Sequence, residues 1–138
     1  MAYDHNNIFA KILRGEIPCR RIYEDDHTLA FMDVMPQVDG HCLVVPKAES
    51  RNLLDANPAT FGPLMASVQK VANAVKAAFN ADGVQIRQYN EEAAGQSVFH
   101  LHFHVMPMME GQSLRPHSGK MADNTLLAKH AEMIKQKI

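Results

Sequence analysis

The chain has 138 residues, 46% of them hydrophobic and 21% charged, with a formal net charge of −1. That is the composition of a single soluble globular domain rather than of a disordered or membrane-embedded chain. Lysine and arginine are scattered and the sequence pI is near 6.7, so no basic face supports binding to polymeric nucleic acid, and no window approaches the roughly 18 apolar residues of a membrane span. The first residues also lack a basic stretch followed by an apolar run. The expected setting is therefore the cytosol, where Cys19 and Cys42, which have no C-x-x-C spacing, remain thiols.

Ile8, Phe9, Ile12 and Leu13 fall on one face of a short helix that Gly15 ends. Three short strands follow, at 21–24, 28–34 and 42–45, the last closed by Pro46, with Asp25-Asp26 and Asp39-Gly40 as the turns between them. Asn57-Pro58 is a helix start, and Phe61, Leu64, Met65, Val68, Val71, Ala72, Val75, Ala78 and Phe79 recur behind it at three- and four-residue steps. Those apolar positions spread over more than one stripe, which points to a second copy of the chain covering the excess. Strands at 83–89 and 98–106 are expected to pair as an antiparallel unit across the small-residue loop 90–97, and Asp123 or Asn124 caps a final helix carrying Leu126, Leu127, Met133 and Ile134. The sequence reads as one domain over 1–138, with its motif-bearing core at about 7–109 and an extension at 110–138.

The segment 98–106, V-F-H-L-H-F-H-V-M, alternates without a break. On a strand this sets His100, His102 and His104 in one row, about 6.5–7 Å apart, with Phe99, Leu101, Phe103 and Val105 turned to the core. One such histidine is an ordinary surface residue; three in register point to chemistry. Imidazole is both a metal ligand and a nucleophile near neutral pH, and His41 is available as a fourth ligand. Against the metal stands Gly95-Gln96-Ser97, a small-residue turn whose backbone N–H groups can converge on an anion directly beside the histidines.

The stretch A-G-Q-S-V-F-H-L-H-F-H-V-M-P resembles the signature of the histidine triad family, in its Hint-like bacterial branch, and the likeness extends upstream so that residues 7 to about 109 are covered. The resemblance implies an α+β fold built on an antiparallel sheet with one long helix, usually a homodimer. It implies that His102 attacks the α-phosphorus of a nucleotide and becomes nucleotidylated before water releases the product. His104 then matches the histidine that meets phosphate oxygens, while His100 and His41 match those that orient the nucleophile. Asn90, Gly95, Gln96 and Ser97 match phosphate-contacting positions, and the Ser97 hydroxyl assists the leaving group. Asp33 matches the carboxylate on the ribose hydroxyls, and Ile8, Phe9, Ile12, Phe31 and Val34 match the slot for a purine base.

Two departures shape the expectation. Many microbial relatives hold a structural zinc with a C-x-x-C at the positions of Asn7 and Ala10 and a histidine after P-K; here those ligands are absent, so no metal and no cofactor are expected. Relatives also follow the strand's proline with arginine, whereas this chain has Met108, which weighs against a long anionic leaving group. The expected function is hydrolysis or transfer at the α-phosphoryl group of a nucleoside 5′-phosphoramidate or an adenylated compound. The alternatives are hydrolysis of dinucleoside polyphosphates and a nucleotide- or metal-binding interaction module.

Overall fold

The computed structural model describes residues 2–117 and 120–138. Helix α1 (Ile8–Leu13) starts at Asn7, whose side chain accepts the Ala10 N–H, and its chain turns away at Gly15 with φ +79°. Strands β1 (Arg21–Glu24), β2 (Thr28–Met32) and β3 (Cys42–Pro46) form an antiparallel meander. Asn57 caps a single 3-10 turn that leads into α2 (Phe61–Ala78), and β4 (Gly83–Arg87), β5 (Phe103–Met108) and α3 (Asn124–Lys135) complete the order. The five strands make one antiparallel sheet in the order β1-β2-β3-β5-β4, so the α+β architecture read from the sequence is the architecture of the molecule. Among the described residues no helix is long and apolar enough to cross a membrane.

Every residue of β2 and β3 is buried, because both faces of the sheet are covered. On one face Ala30, Met32, Val44 and Val105 pack against Leu64, Val68, Val71 and Val75 of α2 and Leu127 and Ile134 of α3. At that helix–sheet contact the buried Ser67 hydroxyl of α2 bonds Thr28 and Asp25, so its burial leaves it partnered. On the other face Leu29, Phe31, Leu43 and Val45 meet Phe9, Ile12 and Leu13 of α1.

The last sheet strand begins later than the alternation of 98–106 predicts. Register runs from Cys42↔Val105 to Val44↔Phe103, and the next steps would set Leu101 opposite Pro46. Proline has no N–H to give, and its carbonyl is taken at 2.8 Å by the His100 ring. The chain from 98 to 102 instead runs beside the sheet, held by a Leu101 N–H bond to Ser50 O, with Leu101 still fully buried. Phe99 does not reach the core: the Arg51 guanidinium lies over its ring, 4.1 Å from the centroid. Gly40 adopts φ +89° so that the loop joining β2 to β3 can pass close to Phe79 and Pro107.

Candidate active site

Two elements bring histidines together, because β3 and β5 are neighbours and His41 immediately precedes β3. His41, His100, His102 and His104 are all buried. The ring-nitrogen protonation of each follows from the partners it faces. The Gln37 N–H points into His41 Nδ1 at 3.0 Å, so the proton of that neutral ring sits on Nε2, which donates to His104 Nδ1 at 2.9 Å. His104 must then carry its own proton on Nε2. His102 Nδ1–H donates to the backbone carbonyl of His100 at 2.6 Å, which leaves the lone pair on His102 Nε2. His100 donates from Nε2 to Pro46 O and accepts the Tyr3 hydroxyl on Nδ1 at 2.5 Å.

The outcome is a lone pair on His102 beside a fixed N–H on His104, their ring centroids 5.1 Å apart. Burial keeps all four rings neutral at physiological pH. It is the largest cause of the lowered values at His100 and His102, and it brings His41 to about 4 and, with the neighbouring His102 and His41, His104 to about 3. Asp33 behaves in the opposite sense: burial alone would raise it, yet the His117 hydrogen bond, the nearby His41 and the Met35 N–H hold its carboxyl below the usual range.

Asp33, His41, His104 and His117 place one donor atom each within 4.8 Å of one another. Such a set can be read as a metal site, but His41 Nε2 bears a proton aimed at His104 and offers no lone pair while the Gln37 N–H occupies Nδ1. The chemistry of these donors fits a hydrogen-bond relay rather than a chelate.

Phe9 is the hinge between the histidines and the apolar side of the site. Its ring meets His102 edge-on at 4.9 Å and Phe31 at 5.5 Å. Ile12 packs on the same cluster, while Ile8 and Val34, the chain neighbours of Phe9 and Asp33, stay exposed as apolar rim positions.

The loop 90–97 is a rigid construction with a different division of labour from that expected. Gln96 is buried and its amide is fully used: Nε2 donates to Arg51 O and Val98 O, and Oε1 accepts from Glu91 N and Asn52 Nδ2. The backbone N–H groups of Gly95 and Gln96 are bonded within the loop, to Glu92 O and Glu91 O. Asn90 likewise pairs with Gln88 and receives the Leu53 N–H. Arg51 grips Glu91 through two nitrogens, at 2.8 Å from Nε and 2.8 Å from Nη2, and Glu91 adopts φ 75°. Gln96 and Asn90 are therefore struts that fix the turn, and among the described residues the Ser97 hydroxyl is the loop's side-chain donor without a protein partner.

Four residues at the site were not found from the sequence. Tyr3 and His117 lie 97 and 84 positions from the groups they bond, and no local pattern marks them. Arg87 stands directly across from His104 in the β4–β5 register, and Tyr89 meets the His104 ring at 5.6 Å; the alternation of β4 carries that signal. Met108 is remote. It pairs with Gly83 four residues beyond His104, about 13 Å along the strand, so it does not face this chain's own histidines and gives no ground for choosing a leaving group.

Comparison with known proteins places this geometry in context. The sequence profile of the HIT domain matches residues 14–111. A Hit-like protein of Bartonella henselae is 51% identical, with TM-score 0.96 and full coverage of both chains. A hypothetical histidine triad nucleotide-binding protein of Sulfolobus tokodaii superimposes with TM-score 0.86 at 31% identity, over 94% of this chain and 89% of the other. An adenylylsulfatase of Arabidopsis thaliana is 37% identical over 83% of this chain and 61% of its own length.

Proposed function

This chain belongs to the HIT domain family, and on that footing we propose that it is a cytosolic nucleotide hydrolase or transferase that cleaves a nucleoside 5′-phosphoramidate or an adenylated compound through a nucleotidyl intermediate on His102. The observation that carries this reading is the tautomer relay: Gln37, His41 and the His100 carbonyl together leave one lone pair, on His102 Nε2, next to one fixed donor, on His104 Nε2. That pairing suits in-line attack on phosphorus, with the nucleophile neutral and a donor set where negative charge builds up on the phosphoryl oxygens.

In the proposed reaction the His102 Nε2 lone pair forms a bond to the α-phosphorus. The bond to the leaving group breaks, its electron pair departing with the leaving group, which takes a proton by way of the Ser97 hydroxyl. Water then attacks the nucleotidyl-histidine and gives up a proton, replacing the one passed to the leaving group through Ser97; the P–N electron pair returns to Nε2 and a nucleoside monophosphate is released. His104, with the Arg87 cation across the ladder, meets the phosphoryl oxygens. Phe9, Phe31, Ile12, Ile8 and Val34 supply the slot for the base, and Asp33 serves the ribose. The adenylylsulfatase among the similar proteins supports an adenylate whose leaving group is not a second nucleotide.

A homodimer is part of the same proposal: β4 is an edge strand exposing Ile86, α2 exposes Met65, and Gln85 Oε1 on β4 is buried with no partner among the described residues.

The test is chemical trapping. Incubation with α-labelled adenosine 5′-phosphoramidate gives protein-bound label that is stable to base and released by acid, the signature of a P–N bond. The His102→Ala variant gives none, and its turnover falls by several orders of magnitude. Label retained by that variant, or turnover above about a tenth of the parent rate, refutes the assignment.

A further inference from the structure

Asp33 is too deeply enclosed to meet a ribose by itself. Its side chain is 5% exposed, whereas that of His117 is 35% exposed, and His117 Nε2–H donates to Asp33 Oδ2 at 2.7 Å. The His117 ring stands 5.6 Å from His104 and 5.7 Å from His41, centroid to centroid, so it closes the histidine cluster on the solvent side. A hydroxyl arriving at Asp33 from solvent therefore meets His117 first.

The placement is built into the fold. Before His117, the Arg115 N–H bonds Gln37 O at 2.7 Å, Gln37 Nε2 returns a bond to Arg115 O, and the Arg115 guanidinium reaches Asp39. After it, the Ala122 N–H bonds Val34 O at 2.8 Å. Both anchors are on the 33–41 loop that carries Asp33. The other Asp33 oxygen, Oδ1, accepts the Met35 N–H at 2.8 Å, so the carboxylate is oriented from two sides while keeping further lone pairs free. Among the described residues His117 Nδ1 has no protein partner.

We propose that His117 is the ribose-facing, specificity-determining member of an Asp33–His117 pair: a ribose hydroxyl bonds His117 Nδ1, while Asp33 holds the ring in place by accepting its Nε2–H. The match is to a hydroxyl, which can give a hydrogen bond to the Nδ1 of a ring whose Nε2–H is already engaged by a carboxylate. This assignment rests on the nucleotide reading above and gives the extension beyond the triad core a place in that site.

The experiment measures dissociation constants by calorimetry for adenosine 5′-monophosphate and its 2′,3′-dideoxy analogue, on the parent protein, His117→Ala and His117→Gln. The dideoxy analogue keeps the base and phosphate contacts but presents nothing to the pair, so it also reports whether each variant is folded. The expected result is a loss of about tenfold for the ribonucleotide in His117→Ala, with dideoxy binding unchanged and partial recovery in His117→Gln. Equal ribonucleotide affinity in the parent and His117→Ala, or tighter binding in His117→Ala, overturns the proposal while leaving the nucleotide reading intact. An equal loss for both ligands also overturns it, since it shows a structural effect. A parent protein that binds neither nucleotide overturns the nucleotide reading and this assignment with it.

Discussion

Replacing His41 by phenylalanine tests the relay where it is most exposed to failure. The ring volume is nearly kept, so packing in the fully buried position changes little, but two hydrogen bonds vanish: the Gln37 N–H loses its acceptor, and His104 Nδ1 loses the donor that fixes its tautomer. Each orphaned polar group costs about 1–3 kcal/mol, so stability should fall by roughly 2–4 kcal/mol, less than the full sum because Gln37 can reach water. The catalytic effect is separate. With Nδ1 unpaired, His104 can move its proton there and turn a lone pair toward the phosphoryl oxygens. Loss of one preorganised donor corresponds to about 2.7–4 kcal/mol, or 10²–10³ in kcat. Stopped-time hydrolysis of adenosine 5′-phosphoramidate measures the rate, and nitrogen-15 chemical shifts of the imidazoles report the tautomer directly. His41→Gln, whose amide can donate to His104, should recover part of the rate. A His41→Phe protein with kcat within threefold of the parent, or with unchanged His104 nitrogen shifts, refutes the relay.

Acid should destabilise the protein before its carboxylates titrate. His41, His100, His102 and His104 all have lowered values in the fold, so their contribution is complete above about 6.5 and is lost as the pH falls towards 4 and 3, with His41 alone accounting for on the order of 3 kcal/mol by pH 4. His117 runs the other way, since its Asp33 bond raises it, but one partly exposed group does not offset four buried ones; a melting temperature that is flat from pH 6.5 to 4.5 contradicts this. Gly40→Ala would bring a Cβ to 2.6 Å from Phe79 Cε2 and 2.9 Å from Pro107 Cγ at φ +89°, and should lower unfolding free energy by about 3 kcal/mol in urea titration; a change under about 1 kcal/mol shows that the loop accommodates a side chain. Arg51→Met removes the two-nitrogen grip on Glu91, so the Gly95 and Gln96 amides should exchange hydrogen at least severalfold faster, and unchanged protection would place the rigidity of the loop in the Gln96 amide alone.

What the sequence made legible was whatever depends on near neighbours. Asn57 and Asp123 cap their helices as local spacing indicates, and the strands up to β4 lie within two residues of their expected limits. The histidine row was legible because alternation alone separates Leu101 and Val105 from His102 and His104. It was misjudged at its start, where Pro46 on the partner strand stops the ladder, a fact about a residue more than fifty positions away. The resemblance matches Gln96 to a phosphate-contacting position, while its four hydrogen bonds here run to Arg51, Val98, Glu91 and Asn52, and only tertiary structure brings Arg51 and Asn52 there. Tyr3 and His117 were illegible for the same reason.

The backbone carbonyl behind His102 has a consequence for the second half of the proposed reaction. A carboxylate in that position would pull the Nδ1 proton and favour a tightly held, charge-neutral phosphoryl adduct, whereas the His100 carbonyl is an uncharged acceptor that leaves the proton on the ring. A group attached to Nε2 therefore sits on an imidazolium, and imidazole departs from it as a neutral molecule without first collecting a proton. Formation and discharge of the adduct can then proceed with the same Nδ1 proton in place throughout, so the nucleophile is regenerated ready for the next substrate at the moment the P–N bond breaks.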